Sequence, residues 1–457
     1  MEDKSADGSG RPARSPLLVT AVCAIGLGCV MFDQTSLVVA LATIGRDLNA
    51  GIAGLQWLSA IMPLMAATAI PVSGTLAARY GARVVLRTGL IVFACGAALA
   101  SLSTALPALL AARAVQGLGM ALILPSGPNL LGANIPAGPA RQRTVGYWIA
   151  VSSAGLFLGP LVGGFVVAQF GWRVTFIALV PLTLIGAATT TLLHDTARAK
   201  PGPLDLAGLT LVCLSLGTLA WALIETGRGN APTVFVVGGY VLAAGLFGLF
   251  LLVERRAVNP VLDLSVLGTR TLRVLLPAVL IYNAVVNGSS FVVSMYLQEG
   301  RQVSTELAGV FILIANIGMP LAGPLTTAMR RLARPGVIML GSLAALVGSL
   351  VLLGFSEILM LPVLALPLFV FGLAAGVLYS IDTVTVLDTT EGAASATATA
   401  TLALMRQVGT VIGIAALAST GQLAASLGVA PRGETVAFLV GGLVLLLLLL
   451  RLRPRIT

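Results

Sequence analysis

Apolar residues along this chain gather into fourteen runs, separated by short polar or glycine-rich stretches: about 17–45, 54–77, 84–104, 106–131, 144–168, 173–193, 206–224, 234–253, 274–297, 307–328, 336–355, 358–381, 396–419 and 435–452. A helix needs about 20 mostly apolar residues to cross the hydrocarbon core of a bilayer, and each run is long enough. None alternates with period two, which excludes a transmembrane barrel. At ~20 residues each, the spans take up ~280 positions. The connections left over are too short for a separate water-soluble domain. The pattern predicts an all-α polytopic membrane protein with 14 transmembrane helices.

Composition narrows the function classes. Of the 457 residues 57% are hydrophobic and 10% charged, with a mean hydropathy of +1.01. Soluble domains carry roughly 25% charged residues, so a soluble enzyme, a disordered chain and a disulfide scaffold are excluded. The net charge of +10 would suit nucleic acid only if it formed a basic face. Instead Lys and Arg stand one to four at a time between apolar runs, so no nucleic-acid partner is expected and a lipid bilayer is. Segments on the same side as the N-terminus hold 20 of the 27 Lys and Arg, the opposite side holds 5, and Arg113 and Arg406 fall inside runs. The positive-inside rule then places both termini in the cytoplasm and the chain in the cell membrane as a multi-pass protein. Residues 1–16 are polar and rich in Gly, Ser and Pro and are expected to form a disordered arm. The first run exceeds the about 7–15 residues of a signal-peptide core, so it is expected to stay as a span.

Soluble-enzyme chemistry finds little to work with. Cys23, Cys29, Cys95 and Cys213 lie in apolar runs without CxxC spacing, and His194 is the single histidine. No metal set, Ser-His-Asp or Cys-His arrangement can be assembled from these. There is no GxxxxGK[ST] loop for nucleotide, which argues against ATP-driven pumping. No cofactor and no enzymatic activity are expected. A sensor would need an output domain for which there is no room.

Two features repeat. Gly74 and Gly323 mark similar run ends 249 residues apart, and Gly155 and Gly159 have counterparts at Gly409 and Gly413, 254 residues apart. Two six-span halves, 17–193 and 272–457, with an inserted pair and its connectors at 194–271, give both offsets. Such repeats are a signature of secondary transporters.

Several motifs resemble the major facilitator superfamily, in particular its fourteen-helix drug:proton antiporter branch, over about residues 17–452. In MFDQTSLVVALATIG the Asp33, Thr35, Ala40 and Leu41 positions fit, although Val38 and Ala42 replace the usual Asn and Pro. Gln56-Trp57 opens the second span as in the family. GTLAARYGARVVL is similar to the cytoplasmic loop motif through Gly74, Leu76, Arg79, Gly81 and Arg83, with Ala78 in place of its Asp. LLAARAVQGLGMA carries Arg113, Gln116, Gly117 and Gly119, and GLFLGPLVGGFV carries Gly155, Gly159, Pro160, Gly163 and Gly164 of the antiporter motif. VERRAVNPVLDLSVL and MRQVGTVIG resemble the connector after the inserted pair and the start of the thirteenth span. The resemblance implies the major facilitator fold, two six-helix bundles plus two inserted helices. It also implies export of a small apolar or amphipathic compound by alternating access, driven by a proton gradient. A facilitator or uptake carrier for another solute is the competing reading. The expected partners are the small-molecule substrate and protons, and the protein is expected to be a monomer.

Roles follow for individual residues. A mid-span Asp costs about 2.5–3.5 kcal/mol on insertion scales and is functional by default. Asp33 and Arg113 are expected to face one another or to share one water-filled cavity. Burial disfavours a carboxylate's charge and a guanidinium favours it, which makes Asp33 the candidate for proton coupling. Asn283, Asn287, Ser290 and Ser294 form one helical face, spaced 4, 3 and 4. With Thr35 they are candidates for a substrate cavity, and Met31, Phe32, Met62, Met65 and Met120 for an adaptable apolar wall. The glycines at 155, 159, 163 and 164, with a kink at Pro160, suggest a tight, bendable contact between the halves. Gly74, Arg79, Gly81 and Arg83 are candidate gating residues. Asp382, Asp388 or Glu391 can accept an Arg from the other half, and Arg406 can pair with Asp382 or snorkel to the interface.

Overall fold

The computed structural model describes residues 15–135, 139–195, 205–257, 269–389, 392–427 and 433–456. The expected arm at 1–16 lies outside them except for Ser15 and Pro16, and so does Glu391. The described chain is helical, without strands: α1 (Pro16–Asp47), α2 (Ile52–Tyr80), α3 (Ala82–Ser101), α4 (Leu106–Asn134), α5 (Pro139–Phe170), α6 (Arg173–Thr189), α7 (Leu206–Arg228), α8 (Thr233–Glu254), α9 (Arg270–Met295), α10 (Thr305–Met329), α11 (Pro335–Gly354), α12 (Ala365–Thr389), α13 (Gly392–Ser426) and α14 (Gly433–Ile456). All fourteen contain a segment long and apolar enough to cross a membrane.

Local chemistry sets several helix ends. Proline occupies the first turn of α1, α4 and α11, where its missing N–H costs nothing. Asp205, Thr269 and Ser304 cap α7, α9 and α10 with side-chain oxygens that accept a backbone N–H, each cap contributing about 1 kcal/mol. Gly81 alone separates α2 from α3 at φ +93°, a turn that a β-carbon would strain. α9 ends in a π-helical turn, Tyr296–Gly300.

Successive helices run antiparallel. The face where α1 starts and α14 ends is called proximal below, and the opposite face distal. The helix pairings repeat. α1 packs on α5 as α9 packs on α13, α2 on α4 as α10 on α12, and α3 on α6 as α11 on α14. Between the halves, α2 meets α13 and α5 meets α10, and each of these contacts maps onto the other under the repeat. α7 lies against both α2 and α13, and α8 packs mainly on α7. The inserted pair therefore braces one seam between the halves through Leu64, Leu216, Ile224, Val408 and Val411.

The apolar core divides unevenly. The largest cluster joins both halves, and the residues it takes from α1–α6 come from distal ends, including Leu41, Ile44, Leu55, Leu109, Val167 and Trp172. The proximal part of α1–α6 forms a separate cluster around Val22, Ile70, Leu86, Phe93 and Leu130. Among the described residues the halves thus share their largest core at the distal end, and a smaller one along the α2–α7–α13 seam near mid-span.

Candidate functional site

Asp33 sits 17 residues into α1, about 26 Å along the helix axis, between the proximal cluster and the shared distal one. Arg113 lies two turns into α4 from its distal end. Its Nη1 donates to Asp33 Oδ2 at 2.5 Å, with both side chains 1% exposed. Gln116, one turn further along α4, donates from Nε2 to Asp33 Oδ1 at 3.3 Å and accepts from Arg113 Nη1 at 3.0 Å. Phe176 closes the site, its ring centroid 5.7 Å from the guanidinium. The expected pairing of Asp33 with Arg113 is present. Gln116 completes a buried three-residue cluster in which both partners of the carboxylate donate hydrogen bonds.

The other site residues are distributed less simply than their spacing suggests. Thr35 is buried, donates to Met31 O at 2.9 Å and lies against Gly155 O at 3.5 Å. It belongs to the α1–α5 contact. Gly155, Gly159 and Gly163 pack on Gly28, Phe32, Thr35 and Ser36 of α1, within their own half. This corrects the expectation that the whole glycine face joins the halves. The cross-half contact is made by the next turn: a β-carbon on Gly309 of α10 would stand 2.7 Å from Pro160 O, and one on Gly164 3.3 Å from Gly309 Cα. A helix can present two small-residue faces, and only the second one points across.

The polar stripe of α9 divides as well. Asn283 and Asn287 bond back to Val279 O and Asn283 O, each at 3.0 Å, and Ser290 to Val286 O at 2.8 Å. Asn283 is buried next to Gly409 of α13, whereas Asn287 and Ser290 are partly exposed. Ser294 donates across the halves to Val38 O and so lies at the distal seam rather than in a cavity. Gln298 continues it, donating to Val39 O at 3.1 Å and to Ser294 Oγ at 3.2 Å. Gln56 does the same between α2 and α13, reaching Ser419 Oγ at 3.1 Å and Ala415 O at 3.3 Å. Gln298 was legible as the next four-residue step after Ser294. Nothing in the sequence pointed Gln56 at α13. Of the proposed apolar wall, Met31 and Phe32 are partly exposed, Met62 and Met120 are buried, and Gln34 Nε2 lies 3.9 Å from Met120 Sδ.

The proximal loop is held by an acid the motif does not include. Asp195, just beyond α6, accepts the Arg83 backbone N–H at 2.9 Å, lies 4.0 Å from its Nε and packs on Gly81. Arg79 is exposed over Tyr80, and Gly74 faces open space. The acids of the other half are engaged at home: Asp388 by Arg330 at 2.6 Å, and Asp382 by Arg406 and Tyr282. The expected acceptance of an Arg from the first half is therefore not what these side chains do. Asp195 anchors Arg83 within the first half.

Known proteins resemble this chain throughout its length. The methylenomycin A resistance protein of Streptomyces coelicolor is 29% identical over 441 residues, 96% of this chain and 92% of that protein. The multidrug resistance protein Stp of Mycobacterium tuberculosis is 27% identical over 407 residues, 89% of this chain and 76% of that one. The crystal structure of the human organic anion transporter MFSD10 shares the fold at TM-score 0.67 and 18% identity, covering 97% of this chain and all of that one. The family profile described as Major Facilitator Superfamily matches residues 23–414. With its fourteen spans, repeated halves and inserted pair, this chain belongs to the Major Facilitator Superfamily of membrane transporters.

Proposed function

We propose that this protein exports a small apolar or amphipathic compound, a drug or antibiotic, in exchange for protons. Its energy source is the proton gradient, with no bound cofactor, and it works as a monomer in the cell membrane. The proximal face is cytoplasmic, which the 20 to 5 distribution of Lys and Arg supports. Export is the reading favoured by relatives described as resistance proteins. The observation that carries proton coupling is the sealed Asp33–Arg113–Gln116 cluster at the edge of the shared distal core. A proton on Asp33 removes the charge that Arg113 holds, and neither Arg113 nor the Gln116 amide nitrogen can accept a hydrogen bond. Protonation therefore loosens α1 from α4, beside the α1–α9 seam formed by Ser294 and Gln298. Alternating access would break the distal seams and bring the proximal ends together. Arg79, Arg83 and Gly74 would border that proximal movement, and the partly exposed Asn287 and Ser290 are the α9 side chains proposed to meet cargo.

The test uses everted membrane vesicles with an imposed pH gradient and a panel of dyes and antibiotics. The expected result is gradient-driven uptake into the vesicles and proton release on adding cargo, both lost in Asp33→Asn while the protein stays folded. Full gradient-driven transport in that variant removes Asp33 from the mechanism. Transport indifferent to the gradient favours a facilitator.

A further inference from the structure

A second buried acid lies in the other half, in a cluster of different chemistry. Asp382 of α12 is 1% exposed. Tyr282 of α9 donates its hydroxyl to Asp382 Oδ2, Arg406 of α13 donates Nη2 to Oδ1, and the Thr383 hydroxyl lies 3.2 Å from Oδ1. Three helices of one half thus converge on one carboxylate. α10 and α11 also pack on α12. Their titratable content is Glu306 at the distal start of α10 and none on α11. Arg330 at the α10 end is taken by Asp388. Tyr282, Arg406, Thr383 and, through Arg406, Tyr379 are therefore the groups that face the site.

The contrast with Asp33 lies in what surrounds each acid. Asp33 is met by a guanidinium and an amide N–H, both donors only. Asp382 is met by a guanidinium and by two hydroxyls, and a hydroxyl can donate or accept. If Asp382 takes up a proton, Tyr282 turns from donor to acceptor and the cluster stays hydrogen-bonded. Arg406 is also provided for once the carboxylate is neutral. It donates to Tyr379 O at 3.0 Å and Thr383 Oγ1 at 2.8 Å, and its guanidinium lies 3.4 Å from the Tyr379 ring centroid. Such stacking on an aromatic face holds a cation without an anion.

Access differs too. Asp382 is seven residues from the proximal end of α12, about 10 Å, and Tyr379 beside it is 42% exposed. The Arg406 side chain is 12% exposed, against 1% for Arg113.

We propose that Asp382 is a second proton-binding carboxylate, taking its proton from the proximal side, with Tyr282 as the hydroxyl that reverses its hydrogen bond. This deepens the export reading, for which it supplies a second proton carrier in the half that lacks Asp33. One proton adds to a carboxylate oxygen and no other bond is made or broken.

The test is pH-difference infrared spectroscopy of the full-length protein in lipid, which needs no cargo. The expected spectrum gains a protonated-carboxyl C=O band on acidification that Asp382→Asn removes and Asp33→Asn leaves. Tyr282→Phe, which retains the ring and its packing, is expected to move that band to higher frequency, as for a carboxyl with fewer hydrogen bonds. A band set identical in wild type, Asp382→Asn and Tyr282→Phe means a permanent ion pair and overturns the proposal. If Asp382→Asn does not fold, the Tyr282→Phe shift decides alone, and its absence overturns the proposal. Failure of the export reading shows instead as vesicle transport indifferent to an imposed pH gradient, so the two failures are distinguishable.

Discussion

Asp33 and Arg113 are each costly in oil, and together they are tolerable because the charges meet with almost no water around them. Removing one partner of such a pair strands the other. Arg113→Gln is expected to destabilise the protein by about 3–5 kcal/mol, measured as a lowered melting temperature in lipid or detergent. Asp33→Asn/Arg113→Gln, which removes both charges, is expected to recover most of that loss. A double variant as unstable as Arg113→Gln alone would mean that packing around the guanidinium, including its contact with Phe176, matters more than the ion pair. The acid and base were visible in the sequence as rare charges within apolar runs. Tyr282 as the partner of Asp382 was not, because a tyrosine in an apolar helix carries no sign of where its hydroxyl goes.

At the scale of the helix, close approach is set by glycine. In lipid there is little hydrophobic drive between helices, so packing depends on how near two backbones can come. Gly155 and Gly159 let α5 settle onto α1, where a β-carbon at position 155 would run into the Gly28 carbonyl and stand 3.0 Å from Phe32 N. Gly155→Ala is expected to cost about 1–3 kcal/mol through overpacking, read as loss of the monodisperse peak or of melting temperature. Gly74→Ala, which meets nothing within 4 Å, is expected to stay within about 0.5 kcal/mol. Equal effects at the two sites would refute the assignment of the α1–α5 contact. A four-residue glycine spacing announces a close helix contact without saying which helix supplies it. For Gly155, Gly159 and Gly163 that helix is α1, and for Gly164 it is α10.

Across the whole molecule, the halves share their largest core and several hydrogen bonds at the distal end. These bonds pair side chains with main-chain carbonyls, and such interhelical bonds average about 0.6 kcal/mol in a membrane. Contacts of that size can hold one state and still release it. Ser294→Ala and Gln298→Leu are each expected to shift the distal-closed to distal-open ratio about threefold, the factor corresponding to 0.6 kcal/mol. Distances between spin labels on the distal ends of α1 and α9, in a cysteine-free background, measure that ratio. Unchanged distance distributions would mean that the seam does not hold the closed state.

The sequence by itself determined the fourteen spans, the repeat of six and six around an inserted pair, and the scarcity of buried charge that singles out Asp33, Arg113 and Arg406. These follow from local composition, because a bilayer requires each spanning segment to be apolar and to satisfy its own backbone within the helix. Only the tertiary structure decided which faces meet. It put Ser294 and Gln56 at the seams, gave Arg83 to Asp195, and gathered Tyr282 and Arg406 around Asp382. In a membrane protein most helix faces are apolar, whether they touch lipid or protein. Hydropathy therefore fixes where a helix runs, and rotation and pairing are left to the fit of small residues and a few hydrogen bonds.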